Sequence, residues 1–282
     1  MIRLLAVDID GTLLDSRARV PDAHREALVD ASARGVDVVL ATGRSFHFTQ
    51  PIADLLPIPL TLIVNNGALV KARDGATVMQ HLLARDVARR VLEETAWYEE
   101  DVALVFDRPI NRAARQMVYD RMDWSHPNRR GYFEKNQAFI ARSSVPLADT
   151  LTEDPIQVMF NGSVEPMRAL VTLLRAMDVA DQFSVAVTEY ETRDFTLVDV
   201  NGAGCSKGST LARWAASRDL TADEVMAVGD NLNDVEMLDF AGTAVVMGNA
   251  TDALKSRGYE RTGTNDEDGL AAAVFKHLEG TA

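Results

Sequence analysis

The 282-residue chain contains a single cysteine, no apolar run of membrane-spanning length, and markedly fewer basic than acidic side chains. One thiol, Cys205, cannot close an intrachain disulfide, and such usage fits a reducing compartment. Without a long apolar run there is no candidate membrane-spanning helix. The N-terminus offers one arginine and then a short strand-like stretch broken by Asp8, a poor secretory leader. These absences together predict a cytoplasmic protein. Lysine and arginine number 29 against 42 aspartates and glutamates, a formal net charge of −13. That surface repels nucleic-acid backbones and anionic membranes, which excludes both as general partners. An anionic small substrate would need a locally positive pocket, and a bound divalent cation is an efficient source of one. Short-period repeats and low-complexity tracts are also missing. What remains is an ordinary globular balance, 47% apolar and 25% charged, in a length that suits one or two domains.

Strand and helix patterns alternate through the first 65 residues. Ile2–Val7 is a strand-like run. Pro21-Asp22 opens a helical pattern through Ala23, Ala27, Leu28 and Ala31 that stops at Gly35. Val36–Ala41 and Leu60–Val64 are continuous apolar runs, as expected of strands buried on both faces. The alternation implies right-handed parallel crossovers in a doubly wound sheet. Ala68–Ala72 and Ala76–Gln80 flank Asp74-Gly75, a hairpin signal. From about residue 83 the texture changes: a helix over Asp86–Tyr98, strands at Val102–Phe106 and Ile156–Phe160, a helix over Glu165–Met177 and a strand at Phe183–Val187. Two β-α-β-like units of this kind predict a separate inserted α/β domain. The first domain's pattern then resumes with Phe195–Val200, a helix over Ser209–Ser217 and the strand Val225–Val228.

Four clusters of chemically capable residues fall at predicted strand ends or helix starts. Asp8-Ile9-Asp10-Gly11-Thr12 places two carboxylates two residues apart where a buried strand leaves the sheet, the position at which α/β folds bind ligands. Such a pair can divide labour between an ionised nucleophile or metal ligand and a protonated acid. Thr42-Gly43-Arg44 offers a hydroxyl and free backbone N–H groups suited to phosphate oxygens. Cys205-Ser206-Lys207-Gly208 brings a lysine to a helix start. Gly229-Asp230-Asn231-Leu232-Asn233-Asp234 follows an apolar strand with carboxylates of the type that hold Mg²⁺. Each has a bland reading as a turn, a helix cap or a solvated charge; all four having one independently is improbable.

The four segments D-I-D-G-T (8–12), A-T-G-R (41–44), S-K-G (206–208) and G-D-N-x-N-D (229–234) resemble the four motifs of the haloacid dehalogenase superfamily of phosphotransferases. Their order, the long insert between the second and third, and Asn65-Asn66-Gly67-Ala68 before a hairpin resemble the Cof-type branch with a type IIB cap. The resemblance implies an α/β fold: a doubly wound, mainly parallel Rossmann-like core at 1–82 and 188–282, with an inserted α/β cap at 83–187. It implies a Mg²⁺-dependent phosphatase for small phosphorylated metabolites such as sugar phosphates, phosphorylated cofactors or nucleotides. Asp8 would be the nucleophile that forms an aspartyl-phosphate, and Asp10 the general acid/base. The cation would be held by the Asp8 carboxylate, the Asp10 backbone carbonyl and the Asp230 carboxylate, with Asp234 supporting them. Ile9 through its backbone, Thr42 and Gly43 through backbone donors, Lys207 and Asn233 would hold the phosphoryl group.

Within the insert, the stretch from Arg108 to Lys135 carries Arg108, Arg112, Arg115, Arg121, Arg129 and Arg130 with Tyr119, Trp124 and His126. It either contacts a second anionic or sugar-like part of a substrate or forms a solvated basic surface. Two other readings of the whole chain stay open at this point. One is a phosphomutase acting on sugar phosphates; the other is a binding or regulatory protein that keeps the fold without turnover.

Overall fold

In the computed structural model, which describes residues 1–98, 101–108 and 115–279, the first apolar run becomes strand β1 (Leu4–Val7), buried throughout. Helix α1 (Asp22–Ala33) buries His24, Ala27, Leu28 and Ala31. It stops ahead of Gly35, whose φ of +82° is the left-handed value that terminates helices. Strand β2 (Asp37–Ala41), helix α2 (Phe46–Ala53) and strand β3 (Thr61–Val64) follow. A hairpin of β4 (Leu69–Ala72) and β5 (Thr77–Gln80) then turns at Asp74-Gly75.

Next come helix α3 (Arg85–Glu94), strands β6 (Val102–Val105) and β7 (Met117–Tyr119), helix α4 (Pro127–Asn136), strands β8 (Ile140–Arg142) and β9 (Gln157–Gly162), helix α5 (Val164–Ala176), and strands β10 (Phe183–Tyr190) and β11 (Phe195–Gly202). The chain continues with α6 (Lys207–Ala216), β12 (Val225–Gly229), α7 (Val235–Phe240), β13 (Thr243–Val246), α8 (Asp252–Lys255), β14 (Glu260–Arg261) and α9 (Gly269–Glu279).

These elements divide into two compact units, Met1–Gln80 with Ser206–Ala282, and His81–Cys205. The first holds an eight-stranded sheet in the order β14-β13-β12-β1-β2-β3-β4-β5. It is parallel from β14 to β3, and antiparallel only at β3/β4 and β4/β5. The chain builds outward from β1 to β2 and β3 on one side, and from β12 to β13 and β14 on the other. The β1/β12 boundary is therefore the switch point of a doubly wound sheet, where the connections diverge and leave a crevice. Leu4, Ala6, Val39, Ala41, Ile63, Val225 and Ala227 pack with Leu211, Trp214 and Ala215 of α6 and Met237 and Leu238 of α7.

The second unit holds a six-stranded sheet, β10-β11-β9-β6-β7-β8, antiparallel except for β7/β8. Helix α4 makes the crossover between parallel β7 and β8. Helix α5 connects β9 to β10, which run in the same direction, and β11 lies between them, antiparallel to both. Val198 and Val200 of β11 belong to the same apolar cluster as Val158, Phe160, Leu170 and Leu174.

This placement corrects the sequence reading in two ways. Phe195–Val200 was expected to return the chain to the parallel sheet, with the insert ending at 187. It is instead the second arm of a long hairpin with β10, paired from Phe183↔Gly202 to Tyr190↔Phe195, and the inserted unit runs to Cys205. A β-branched run states that a strand is buried but not which sheet buries it. The helix expected over Asp86–Tyr98 stops at Glu94, because the Thr95 hydroxyl donates back to Val91 O at 2.7 Å and Tyr98 turns to donate its hydroxyl to Asn161 O of β9 at 3.1 Å. Among the described residues no helix is long and apolar enough to cross a membrane.

Candidate active site

Asp8 follows β1 directly, and its amide donates to Val228 O of β12 at 3.0 Å, which fixes it at the switch point of the parallel sheet. The chain then folds back on itself: Leu13 N donates to Asp8 O at 3.2 Å and Leu14 N to Ile9 O at 3.0 Å. Gly11 is required twice over. Its φ is +84°, and a Cβ there would collide with the Asp230 carboxylate. Thr12, fully buried, donates its hydroxyl to Asp230 Oδ1 at 3.3 Å. The first and fourth motif segments therefore meet.

Lys207 joins them. Its Nζ lies 2.7 Å from Asp8 Oδ1 and 2.7 Å from Asp234 Oδ1, with the lysine only 1% exposed and Asp8 5%. Asp234 is fully committed: its other oxygen accepts from Asp230 N at 2.9 Å and Asn231 N at 3.0 Å, bracing the Asp230 loop. Lys207, expected at a helix start, is the first residue of α6, preceded by Ser206, which caps that helix in a reciprocal box with Ser209. Ser206 Oγ also donates to Glu236 of α7. Gly208 lets α6 and α7 touch, since a Cβ there would strike the Glu236 backbone.

Ligand oxygens of Asp8, Asp230 and Asp234 all lie within 4.8 Å of one another. One ammonium serves three carboxylates, and the surroundings show the deficit. Burial pushes the Asp8 carboxyl up to about 7, with Asp234 and Asp10 reinforcing it and Lys207 opposing. Burial also raises Asp230, helped by Asp8 and Asp234. Burial alone would lower Lys207, but Asp234 and Asp8 outweigh it and hold the amine charged. A buried excess of carboxylate is what a divalent cation relieves, and an all-oxygen donor set suits a hard ion.

The remaining motif residues form the rim. Asp10 turns its carboxylate to Arg44, which grips it through Nε at 2.6 Å and Nη2 at 2.5 Å, a two-point fork of the strongest type. Thr42 was expected to offer its backbone N–H to a phosphoryl group, but that amide donates to Ile63 O at 2.8 Å. The Thr42 hydroxyl oxygen accepts from Arg44 N at 3.1 Å, leaving the O–H proton to be donated elsewhere. Gly43 keeps an uncommitted amide among the described residues. Asn233 spends one amide hydrogen on Asn66 Oδ1 at 2.9 Å.

Asn66 was not in the candidate set and ties the second and fourth segments together. It bonds Asn233, its amide donates to Thr42 O at 3.0 Å, and its side chain packs where a Gly43 Cβ would sit. Asn65, Asn66 and Gly67 are all left-handed, at φ of +51°, +53° and +100°. Asn-Asn-Gly is the composition that tolerates such a turn, so the signal was present in the sequence. Arg44 stood in a quoted motif without a role, and Glu236 carried no signal.

The basic stretch of the inserted unit is largely spent on internal partners. Arg129, buried, pairs with Asp101 at 2.7 Å and bonds Asn161. Arg108 pairs with Glu153 at 2.6 Å and Arg130 with Glu134 at 2.9 Å, and Arg115 donates to Ala138 O. Arg112 lies outside the described residues.

A family model described as haloacid dehalogenase-like hydrolase matches residues 5–274. The phosphatase YwpJ of Bacillus subtilis is 30% identical over 98% of this chain and 100% of its own length. The pyridoxal phosphate phosphatase YbhA of Escherichia coli is 28% identical over 98% of each. A solved subclass IIB sugar phosphatase superposes with a TM-score of 0.77 at 21% identity, covering 98% of this chain and 99% of its own, a likeness of fold.

Proposed function

The chain belongs to the haloacid dehalogenase-like hydrolase family and is a phosphoric monoester hydrolase, and we propose that it is a Mg²⁺-dependent phosphatase of small phosphorylated metabolites working through an aspartyl-phosphate. The observation that carries this reading is the cluster of Asp8, Asp230 and Asp234 at the sheet's switch point, with the buried Asp8 and Asp234 both paired to Lys207. The names of relatives such as pyridoxal phosphate phosphatase support the substrate class.

Asp8 and Asp230, with the Asp10 backbone carbonyl, would hold Mg²⁺, while Asp234 orients the Asp230 loop and shares Lys207. Bound there, the ion would neutralise the excess carboxylate charge and polarise a phosphoryl oxygen. Lys207 holds Asp8 Oδ1, which leaves the other carboxylate oxygen to attack phosphorus. A carboxylate is a known phosphoryl acceptor. As the Asp8 O–P bond forms and the ester P–O bond breaks, the Thr42 hydroxyl, the Gly43 and Ile9 amides, Asn233 and Lys207 stabilise the phosphoryl oxygens. Asp10, released from Arg44 and having taken up a proton from solvent, donates that proton to the leaving oxygen. In the second half Asp10 takes a proton from the water that attacks the aspartyl-phosphate, releasing inorganic phosphate and restoring Asp8.

The test is phosphate release from p-nitrophenyl phosphate and a panel of sugar phosphates and phosphorylated cofactors, with Mg²⁺ and with EDTA. Mg²⁺-dependent release is expected, and Asp10→Asn should slow leaving-group departure while sparing phosphate binding. Isomer interconversion without net release would identify a phosphomutase instead, and silence on every ester would favour a binding protein.

A stability prediction follows from the same charge imbalance. A carboxyl raised to about 7 in the fold binds its proton in the native state across the interval from about 4 to about 7, where the unfolded chain has released it. Its stabilising contribution is complete below about 4 and is lost as pH rises through 7. In EDTA, the melting temperature should therefore fall between pH 5 and pH 8, and saturating Mg²⁺ should raise it far more at pH 8 than at pH 5. Melts that show neither trend would contradict the charge deficit.

A further inference from the structure

The loop that carries Asp10 and Gly11 is held from outside by two asparagines that none of the four motif segments contains. Asn249 follows β13, and its Nδ2 donates to Gly11 O at 2.8 Å. Asn265 follows β14; it is buried, and its Nδ2 donates to Leu14 O at 2.8 Å. The two are joined to each other, Asn265 N donating to Asn249 Oδ1 at 2.9 Å. Asp266 adds a third hold, accepting from Ser16 N at 2.8 Å, and Gly248 N donates to Gly263 O at 2.9 Å to lock the two outer loops together.

Every anchor falls on the backbone of residues 11–16, and that backbone tolerates little displacement. Gly11 lies against the Asp230 carboxylate so closely that even a methyl group would clash, and Thr12 bonds the same carboxylate. A shift of the loop moves Asp10 relative to Asp8 and alters the space left for Asp230. Leaving the Gly11 carbonyl unclasped would also remove the hydrogen bond that fixes its direction.

We infer that Asn249 and Asn265 are positioning residues for the reaction, a clasp between the β13 and β14 loops that holds the Asp10-bearing loop in register with Asp230. The inference rests on the phosphatase reading of this site. Asn249 is exposed, so Asn249→Ala removes one arm without opening the core. Misplacement of a reacting group by a fraction of an ångström to an ångström costs about ten- to hundredfold in rate. The expected result is a fall of that order in kcat with KM changed less than about twofold and the melting temperature nearly unmoved. Asn249→Asp keeps the acceptor for Asn265 N but sets a carboxylate against the Gly11 carbonyl, and should lose at least as much kcat as the alanine variant.

Steady-state kinetics on p-nitrophenyl phosphate with thermal melts on the same preparations decide the matter. Variants that retain wild-type kcat beside an active wild type overturn the clasp alone, and so does a kcat loss that merely tracks a lowered melting temperature. An inactive wild type overturns the phosphatase reading, and the clasp with it.

Discussion

Asp8→Asn is expected to abolish turnover, a fall in kcat on the order of 10⁴-fold or more, in a protein that melts no lower than wild type. The amide is nearly isosteric with the carboxylate and its oxygen can still accept from Lys207, so the geometry around Nζ survives. What disappears is the carboxylate oxygen that the proposed mechanism uses to bond phosphorus. The stability half of the expectation comes from the same charges. Wild type sets three carboxylates, two of them buried, against one ammonium, and removing one charge brings the cluster closer to neutrality. In EDTA at pH 8 the variant should therefore melt above wild type, and its pH dependence between 5 and 8 should flatten, because Asp8 is a carboxyl that burial drives up to about 7. Kinetics with an added phosphoester and melts at the two pH values measure both halves. A variant with a tenth of wild-type kcat would remove Asp8 from the chemistry.

Much of this site was legible because it is built from segments in which local sequence and local geometry coincide. Asp8 to Thr12 sits at a strand end with a glycine where the chain must turn, and the fold puts the turn there. Asp230 to Asp234 follows the next buried strand in the same way. What the sequence did not disclose were pairings between distant segments. Nothing local says that β11 turns back on β10, since a buried run reads alike in either sheet. The commitment of the Thr42 amide to Ile63 depends on β2 pairing with β3, a contact of long sequence separation. Arg44 was visible as a letter in a motif, but its grip on Asp10 joins residues 34 positions apart. Asn66, Asn249 and Asn265 act through side-chain bonds to other loops' atoms, which residue type alone does not locate. Chemistry-bearing residues were found by where they leave a strand; those that hold them in place emerge only from tertiary contacts.

Lys207→Met carries the second large effect, in stability and in rate together. Methionine is unbranched and fills a similar volume, so the change isolates the charge. It leaves Asp8 and Asp234, both buried, without the ammonium that each meets at 2.7 Å, and Asp230 close beside them. Breaking a buried ion pair from one side costs about 3–5 kcal/mol, roughly 10 °C in melting temperature for a fold unit of this size. The cost should be greatest in EDTA at pH 8 and shrink at pH 5, where the carboxyls raised by burial take up protons. Mg²⁺ should recover part of it by supplying positive charge to the same oxygens. Turnover should not recover with it, because in the proposed mechanism the lysine also neutralises the phosphoryl group in the transition state, a contribution worth about 10²–10³ in kcat. Adding Asp234→Asn to Lys207→Met separates the two roles. One fewer orphaned carboxylate should restore several degrees of melting temperature, while kcat stays at the level of the single variant. If the double variant regained neither stability nor turnover, the deficit of positive charge would not be what Lys207 relieves; if it regained both, the lysine would serve the fold and not the phosphoryl group.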